Sequence, residues 1–335
     1  MPMDLNCETT GVLLMTYGSP ESLEDFEAYF TDIRGGRKPP PELVEEIKDR
    51  YRLIGGKSPL LQITQDQARA LQERLNAREA GNKEQAIGHR EKAPDSDADH
   101  GHFRVYIGMR HWHPYIKETF KKIRDEGVKR LVALALAPQY SRQSVGAYIQ
   151  KVKEAEAELD GHIRISYVES WHTHPLFLEA IARHVKKALD RFPSAVRDQV
   201  RIIFTAHSLP ERILAENDPY PHQLQQTVSG VVKLLGLVHW RFAYQSQGRT
   251  SEKWLGPRVE EVLEELSAKG HREVLLAPVG FVSDHVEILY DIDILFKNLA
   301  ASKGIHLERM ESLNTDPLFI EALASVVRER MKDEG

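Results

Sequence analysis

Between Leu275 and Phe296 the chain reads LLAPVGFVSDHVEILYDIDILF. It opens as an apolar strand, turns at Pro278 to Gly280 and continues as a helix over 283–298. On a 3.6-residue period Asp284, Glu287 and Asp291 fall within about sixty degrees of one another and share one stripe. Such stripes are commonly solvated acidic faces. Here, however, Val286, Ile288, Leu289, Tyr290, Ile292, Ile294 and Phe296 surround the same helix with apolar side chains. A helix apolar in nearly every direction is a buried one, and buried carboxylates need a cation, a proton or a dense set of donors. His285 adds an imidazole beside them. Carboxylates with an imidazole in a half-buried helix point to a divalent-metal site or to proton transfer.

A second imidazole comes from a strand end. His207 follows the run Arg201-Ile-Ile-Phe-Thr-Ala, so it stands at the carboxyl end of a strand. A histidine there can serve local hydrogen bonding, but a neutral imidazole facing a carboxylate can also bind a metal or accept a proton near neutral pH. Tyr17 reads as a core aromatic or as a weak oxygen ligand. Two basic, glycine-containing loops, IRGGRKPPP and RYRLIGGKSP, supply Arg34, Arg37, Lys38, Arg50, Arg52 and Lys57. The arginine fork pairs bidentately with carboxylates, so these loops leave room for an acidic substrate. Lys38 and Lys57 read as solvated charge.

The elements that must position these groups alternate in type. Gly11 to Thr16 is a short strand, and amphipathic helices follow near 21–32, 41–53 and 63–77. From Phe103 the order is strand 103–109, helix 114–126, strand 131–137, helix 143–158, strand 163–168 and helix 175–190. It resumes with strand 201–206, helix 220–235, strand 239–244, helix 256–268, strand 273–278, helix 283–298, strand 304–309 and helix 316–331. This alternation predicts an α/β protein with parallel sheets.

The chain also repeats itself. Glu169-Ser170-x-x-Thr173-x-Pro175-Leu176-Phe177-x-Glu179-Ala180 returns as Glu311-Ser312-x-x-Thr315-x-Pro317-Leu318-Phe319-x-Glu321-Ala322. Ala137-Pro138 returns as Ala277-Pro278, and Thr16-Tyr17-Gly18-Ser19-Pro20-Glu21, with one insertion, as Thr205-Ala206-His207-Ser208-Leu209-Pro210-Glu211. Three echoes in one order predict two similarly folded halves. Ligands of open α/β sheets sit beyond the carboxyl ends of the strands. Tyr17, Arg110, Tyr140, His207, Gln245 and the 279–291 segment should therefore surround a cleft between the halves. The helix 316–331 should pack back onto the first half.

Composition bounds the rest. With 335 residues, 41% hydrophobic and 28% charged, the chain suits two domains of ordinary size. A net charge of −5 with both signs mixed gives no footprint for nucleic acid or a membrane surface. A lone cysteine, Cys7, excludes an internal disulfide, a Cys-ligated iron–sulfur cluster and a Cys-rich zinc site. The longest apolar run, Leu131 to Ala137, is a buried strand rather than a membrane span of ~20 residues. With no targeting segment visible, the expectation is a soluble, cytoplasmic protein. Residues 78–102 carry hardly a large apolar side chain and read as an insertion whose histidines, His89, His100 and His102, are far apart in sequence. No Gly-x-Gly-x-x-Gly follows a strand, and no Walker-type loop or Gly-x-Ser-x-Gly elbow occurs.

Several stretches together resemble the ferrochelatase family, most closely its soluble Gram-positive coproporphyrin III type. They are MTYGSP, YFTDIRGGRKPPPE, KDRYRLIGGKSPLLQIT, YIGMRHWHP, TAHSLPERI, DPYPHQL, YQSQGRTSEKWLGP and APVGFVSDHVEILYDID, and they run from about residue 11 to 330. The resemblance implies the chelatase fold, two similar Rossmann-like lobes with parallel sheets and an active-site cleft between them. It implies lobes at 1–172 plus 313–335 and at 173–312, and insertion of Fe²⁺ into a porphyrin with loss of two pyrrole protons. By the same resemblance His207 and Glu287 match the catalytic, metal-binding pair, and Asp284 and Asp291 match acidic residues on a metal path. Tyr17 matches the tyrosine that approaches the metal in the Gram-positive type. Arg34, Arg50, Tyr51, Ser58 and Tyr148 match porphyrin-contacting positions. Leu295 stands where many relatives carry glutamate, and Gly35 where some carry arginine. The implied product is Fe-coproporphyrin III in haem biosynthesis, with Fe²⁺ as substrate, no permanently bound cofactor and a transient haem-pathway partner as acceptor. Against coproporphyrin, PQYS at 138–141 looks more like the protoporphyrin IX enzymes. A different tetrapyrrole chelatase and a non-catalytic tetrapyrrole or metal carrier are the other readings.

Overall fold

The computed structural model describes residues 9–77, 102–159, 162–248 and 250–332. Cys7, His89, His100 and nearly all of the 78–102 stretch lie outside the described residues. In chain order the first half runs β1 (Thr10–Thr16), α1 (Phe26–Ile33), α2 (Pro41–Leu53), α3 (Leu60–Asn76), β2 (Phe103–Met109), α4 (Ile116–Asp125), β3 (Arg130–Ala135), α5 (Val145–Leu159), β4 (Arg164–Val168) and α6 (Pro175–Leu189). A short α7 (Ser194–Arg197) leads to β5 (Arg201–His207), a 3₁₀ turn at Glu211–Leu214, α8 (Tyr220–Leu235), β6 (Trp240–Gln245), α9 (Val259–Ala268) and β7 (Glu273–Ala277). Then come α10 (Val286–Leu289), a π-helix at Asp291–Phe296, α11 (Lys297–Ser302), β8 (His306–Arg309) and α12 (Pro317–Lys332).

The strands form two four-stranded sheets in the orders β2-β1-β3-β4 and β6-β5-β7-β8, and every pairing is parallel. The identical orders account for the internal echoes. The Tyr17 and His207 loops leave the equivalent strands β1 and β5, and Ala137-Pro138 and Ala277-Pro278 follow the equivalents β3 and β7. Pro175 and Pro317 open α6 and α12, a position where the missing proline N–H is no loss. All seven residues of β1 are buried, as in a strand covered on both faces.

One continuous core joins the two sheets. It runs from Val12, Leu14, Val132 and Leu134 through Leu71 of α3, Phe177 and Ile181 of α6, Val228 of α8 and Phe319 and Leu323 of α12 to Phe204 and Leu275. The outer face of the first sheet is covered by α4 and α5, and that of the second by α9 and the π-helix region. Helix α12 packs on α3, α6, β3 and β4. The α1–α2 pair forms a small cluster of its own, Phe26, Tyr29, Val44 and Tyr51, which packs against Trp112 and Val286. That contact seats the basic loops on the start of α10.

The reading of 283–298 as one regular helix needs correction. Ser283 to His285 is not helical, α10 makes a single turn, and a π-helix follows before α11. The cause is a clash of demands. Ile288, Ile292 and Phe296 are all driven into the core of the second sheet, while Arg309 at the end of β8 grips Asp293 with two parallel hydrogen bonds of 2.8 Å. The wider π turn absorbs one extra residue, a device found often at functional sites.

Gly280 locks this segment to β5. Its N–H donates to the Thr205 carbonyl at 3.2 Å, and a Cβ there would lie 2.5 Å from Ala206 Cβ and 2.9 Å from its Cα. Gly280→Ala must therefore push the segment off the strand and should cost about 1–3 kcal/mol. Chemical denaturation reads this directly; an unchanged midpoint would mean that the segment is not tied to β5.

Candidate active site

At the carboxyl ends of the second sheet, His207 Nε2 lies 3.3 Å from Glu287 Oε1, with about a third of each side chain open to solvent. His285 Nε2 reaches the other oxygen of Glu287 at 3.5 Å, while its Nδ1 lies 3.0 Å from the Ser283 carbonyl. The Phe281 ring packs between the two imidazoles, 6.5 Å from His207 and 4.9 Å from His285. His207 Nδ1 faces the Ser208 carbonyl. Thr205 donates to Gln245 at 2.7 Å, and Gln245 in turn donates to the Glu287 carbonyl at 3.0 Å. The ends of β5 and β6 thus hold α10 from below.

The charges follow from this geometry. Burial disfavours charged His207, but the Glu287 carboxylate, its hydrogen bond and the Ser208 carbonyl outweigh that and lift the imidazole to about 9. Burial likewise opposes ionised Glu287, yet His207 and His285 hold it well below the usual carboxylate range. The pair is imidazolium and carboxylate. Asp291 behaves oppositely: burial and the Glu287 charge raise it to about 6, against the Ser246 hydroxyl that donates to it. Tyr17 is no core aromatic, being 41% exposed; the packing around its hydroxyl and the Glu287 charge push it up to about 12, against Arg110, and so it keeps its proton.

The expected site residues separate into groups. His207, Glu287 and Asp291 share one electrostatic neighbourhood, each shifting another. Asp284 does not join their stripe. Its carboxylate accepts from Ser312 at 2.8 Å and Asn314 at 3.0 Å and lies 3.3 Å from Arg309 Nη1. The non-helical start of the segment turns it into a structural ion pair. Among the described residues no three His, Cys, Asp or Glu side chains converge in ligating geometry.

On the first-lobe side, Arg34 caps α1 with its guanidinium 5.9 Å from the Phe30 ring centroid, and its buried Nε has no acceptor. Arg50 lies over the Tyr290 ring at 5.1 Å and also lowers Asp291. Tyr51 and Tyr148 are buried, and burial with the Glu287 charge keeps both hydroxyls protonated. Ser58 is buried beside the start of α3, its hydroxyl accepting from the Leu60 N–H at 3.3 Å. Leu295 is 44% exposed on the π-helix. The PQYS segment serves the junction between halves: Gln139 donates to Thr227 at 3.0 Å, Ser141 to Asp218 at 3.0 Å, and the Tyr140 N–H to Gln223 at 2.7 Å.

Sequence reasoning missed Ser246, Asp32 and His111. Ser246 takes the left-handed backbone conformation, φ +58°, that aims it at Asp291. Asp32 and His111 pair at 2.7 Å. Their partnership spans 79 positions, and no periodicity announces it.

Two similar parallel sheets with acid–base side chains at their carboxyl ends define a chelatase fold. The sirohydrochlorin chelatase SirB of Bacillus subtilis subspecies spizizenii, solved with cobalt, shares it at a TM-score of 0.53 and 13% identity, over 97% of this chain and 96% of that one. The ferrochelatase family model matches residues 9–331. The ferrochelatase of Herpetosiphon aurantiacus is 44% identical over 95% of this chain and 98% of its own length. That of Deinococcus radiodurans is 42% identical over 97% of each, and the coproporphyrin III ferrochelatase of Geobacillus kaustophilus 40% over 98% of each. The chain belongs to the ferrochelatase family, the lyases that insert Fe²⁺ into a porphyrin. Among the described residues no helix is long and apolar enough to cross a membrane.

The raised imidazole carries a sign that can be tested. The folded value for His207 lies above its unfolded one of about 6.5. The stabilisation that the raised imidazole contributes is therefore complete below about 6.5 and is lost as pH rises towards about 9, while the part from the depressed Glu287 is lost as pH falls below the ordinary carboxylate range. In metal-free protein the ¹⁵N ring shifts of His207 should titrate near 9, and in Glu287→Gln they should fall back towards the ordinary value. If they stay near 9 in the variant, the carboxylate is not what holds the proton.

Proposed function

We propose that this chain inserts Fe²⁺ into coproporphyrin III to give Fe-coproporphyrin III. The observation that carries the substrate choice is Arg34, whose buried Nε has no acceptor at the edge of the glycine-containing basic loops. A propionate would supply that acceptor, and Arg37, whose Nε donates to the Arg34 carbonyl at 3.3 Å, adds a second guanidinium on the same loop. Coproporphyrin III has four such groups, whereas protoporphyrin IX replaces two of them with vinyls that want an apolar edge. The Geobacillus kaustophilus relative is named for coproporphyrin III. PQYS does not weigh against this reading, because Gln139 and Ser141 are spent on contacts between halves.

A flat porphyrin presents its nitrogen lone pairs in plane, so the metal needs a distorted ring. Rim contacts far from the metal supply the binding energy that favours the bent, transition-state-like shape. Glu287 remains ionised and can take a pyrrole proton; Glu287 and Asp291 offer oxygen donors and His207 a nitrogen donor once its proton has left, and such donors release Fe²⁺ readily. Such donors bind Zn²⁺ and Cu²⁺ at least as well. Fe²⁺ enters as substrate with no resident cofactor, and the enzyme works in the cytoplasm.

Anaerobic Fe²⁺ offered with each porphyrin in a detergent-controlled assay should show insertion strongly favouring coproporphyrin III. Arg34→Ala should weaken coproporphyrin binding about tenfold, near 1.4 kcal/mol, and protoporphyrin binding less. Equal or better turnover of protoporphyrin IX would overturn the substrate; stoichiometric binding with no turnover would make the chain a carrier.

His207→Ala and Glu287→Gln should each lower turnover by far more than tenfold while porphyrin affinity stays within a few-fold. Near wild-type turnover in either variant removes that residue from the mechanism.

A further inference from the structure

The equivalence of the two halves extends to the amino ends of the sheets, which face away from the cleft. In each half a cavity of about 190 Å³ opens there, beside β1 and β2 in one sheet and beside β5 and β6 in the other. Arg201, at the second cavity, opens the strand that His207 closes. Six residues of strand put the two ends about 20 Å apart, so this cavity is no part of the His207 site.

The wall behind each cavity is built alike. Helices α4 and α9 are each followed by one residue and a glycine in the left-handed conformation, and three residues beyond the glycine β3 and β7 begin. The pairs are Glu126-Gly127, φ +76°, and Lys269-Gly270, φ +81°. Glu126 and Lys269 therefore occupy the same position in the two halves, with opposite charge. In the first half the cavity is neutralised from within: Arg104 Nη1 lies 3.0 Å from Glu126 Oε2, and Tyr106 donates to the same carboxylate.

The second cavity lacks that carboxylate. Arg201 Nε meets His271 Nε2 at 3.5 Å, its buried Nη1 has no acceptor, and among the described residues no carboxylate pairs with it. Glu265 of α9 is taken by Lys269 and lies 4.0 Å from Arg241, so one carboxylate answers two cations. Trp240 and Leu266 form the apolar wall. The crowding of positive charge is felt by His271, held below its ordinary value by burial and then by Arg201, Lys269, His239 and Arg241.

A buried donor without a partner costs free energy, and a cleft lined by one sign of charge concentrates the opposite ion. We propose that the cavity between β5, β6 and α9 binds a free phosphate or a small phosphate ester, held by Arg201, Arg241 and Lys269, which supplies from outside the charge that Glu126 supplies in the first half. The arginine fork matches phosphate oxygens, and lysine adds a point charge. Sites for drug-sized ligands span ~300–1,000 Å³, so the smaller volume here limits the body that can accompany the phosphate. The inference uses none of the residues assigned to metal insertion and stands whether or not that reading holds.

Calorimetric titration of the full chain with inorganic phosphate, at constant ionic strength in chloride, tests it. Wild type should bind one phosphate saturably. Lys269→Glu restores the first-half arrangement at an exposed position, and it should weaken phosphate at least tenfold without lowering the thermal midpoint. Arg201→Gln should weaken it to a similar extent. Absence of saturable binding, or equal affinity in Lys269→Glu, would overturn the site. Val238 at the rim is 81% exposed, and a lipid headgroup carries the same phosphate chemistry. Phosphatidylglycerol vesicles form the second arm: binding to them through Arg201 and Lys269, with none to inorganic phosphate, would replace the small-anion site by a lipid dock and overturn the proposal.

Discussion

The Glu287 carboxylate is about two-thirds withdrawn from solvent in this cleft, its ionised form leans on a cation beside it, and the surrounding structure is arranged to provide one. A carboxylate withdrawn from water and left unpaired is pushed towards its protonated form. His207 prevents that from the end of β5, and His285 assists from the residue before α10. The distances hold only if α10 is fixed against β5. Gly280, lying close over Ala206, and the Thr205–Gln245–Glu287 chain of hydrogen bonds fix it from one side. From the other, Arg309 anchors both Asp284 and Asp293. The buried Gln67 on α3 donates to Ser283 and to the Asn314 carbonyl, so the first half of the chain braces the same segment.

Much of this was readable before any coordinates. The strands are short apolar runs between turn residues, and the internal echoes disclosed two halves because equivalent strands end in equivalent loops. His207 was legible as a histidine at a strand end, and Glu287 as a carboxylate in an apolar helix. What failed was phase. A single 3.6-residue period drawn through 283–298 aligned Asp284 with Glu287. The real chain starts its helix later and widens it at Asp291, where Ile292, Phe296 and Arg309 make competing claims. Arg309 lies 16 positions from Asp293, and periodicity carries no information about such a partner. The Asp32–His111 pair was hidden for the same reason.

The shared core also restricts how the cleft can open. Apolar side chains run without interruption from Val12 and Val132 to Phe204 and Leu275, so the two sheets cannot swing apart as rigid halves without exposing that core. The α1–α2 pair has its own small aromatic cluster, whose apolar contacts with the rest run through Trp112 and Val286, with polar ties from Asp32 to His111 and from Tyr29 to Gly18. Movement that admits a large flat ring is cheapest there, and Arg34 and Arg50 ride on that element.

Helix α12 has a consequence for how the molecule is made. It lies on α3, β3, β4 and α6, yet everything from β5 to β8 is synthesised between β4 and this helix. While the chain emerges from the ribosome, Leu71, Val132, Leu134 and Val168 remain without Phe319, Leu323 and Val327, their partners in the finished core. The first sheet therefore waits, partly uncovered, for a segment that arrives after the whole second sheet. Translation of the 190–316 region is the interval in which the nascent chain is most exposed to self-association and most in need of chaperone cover.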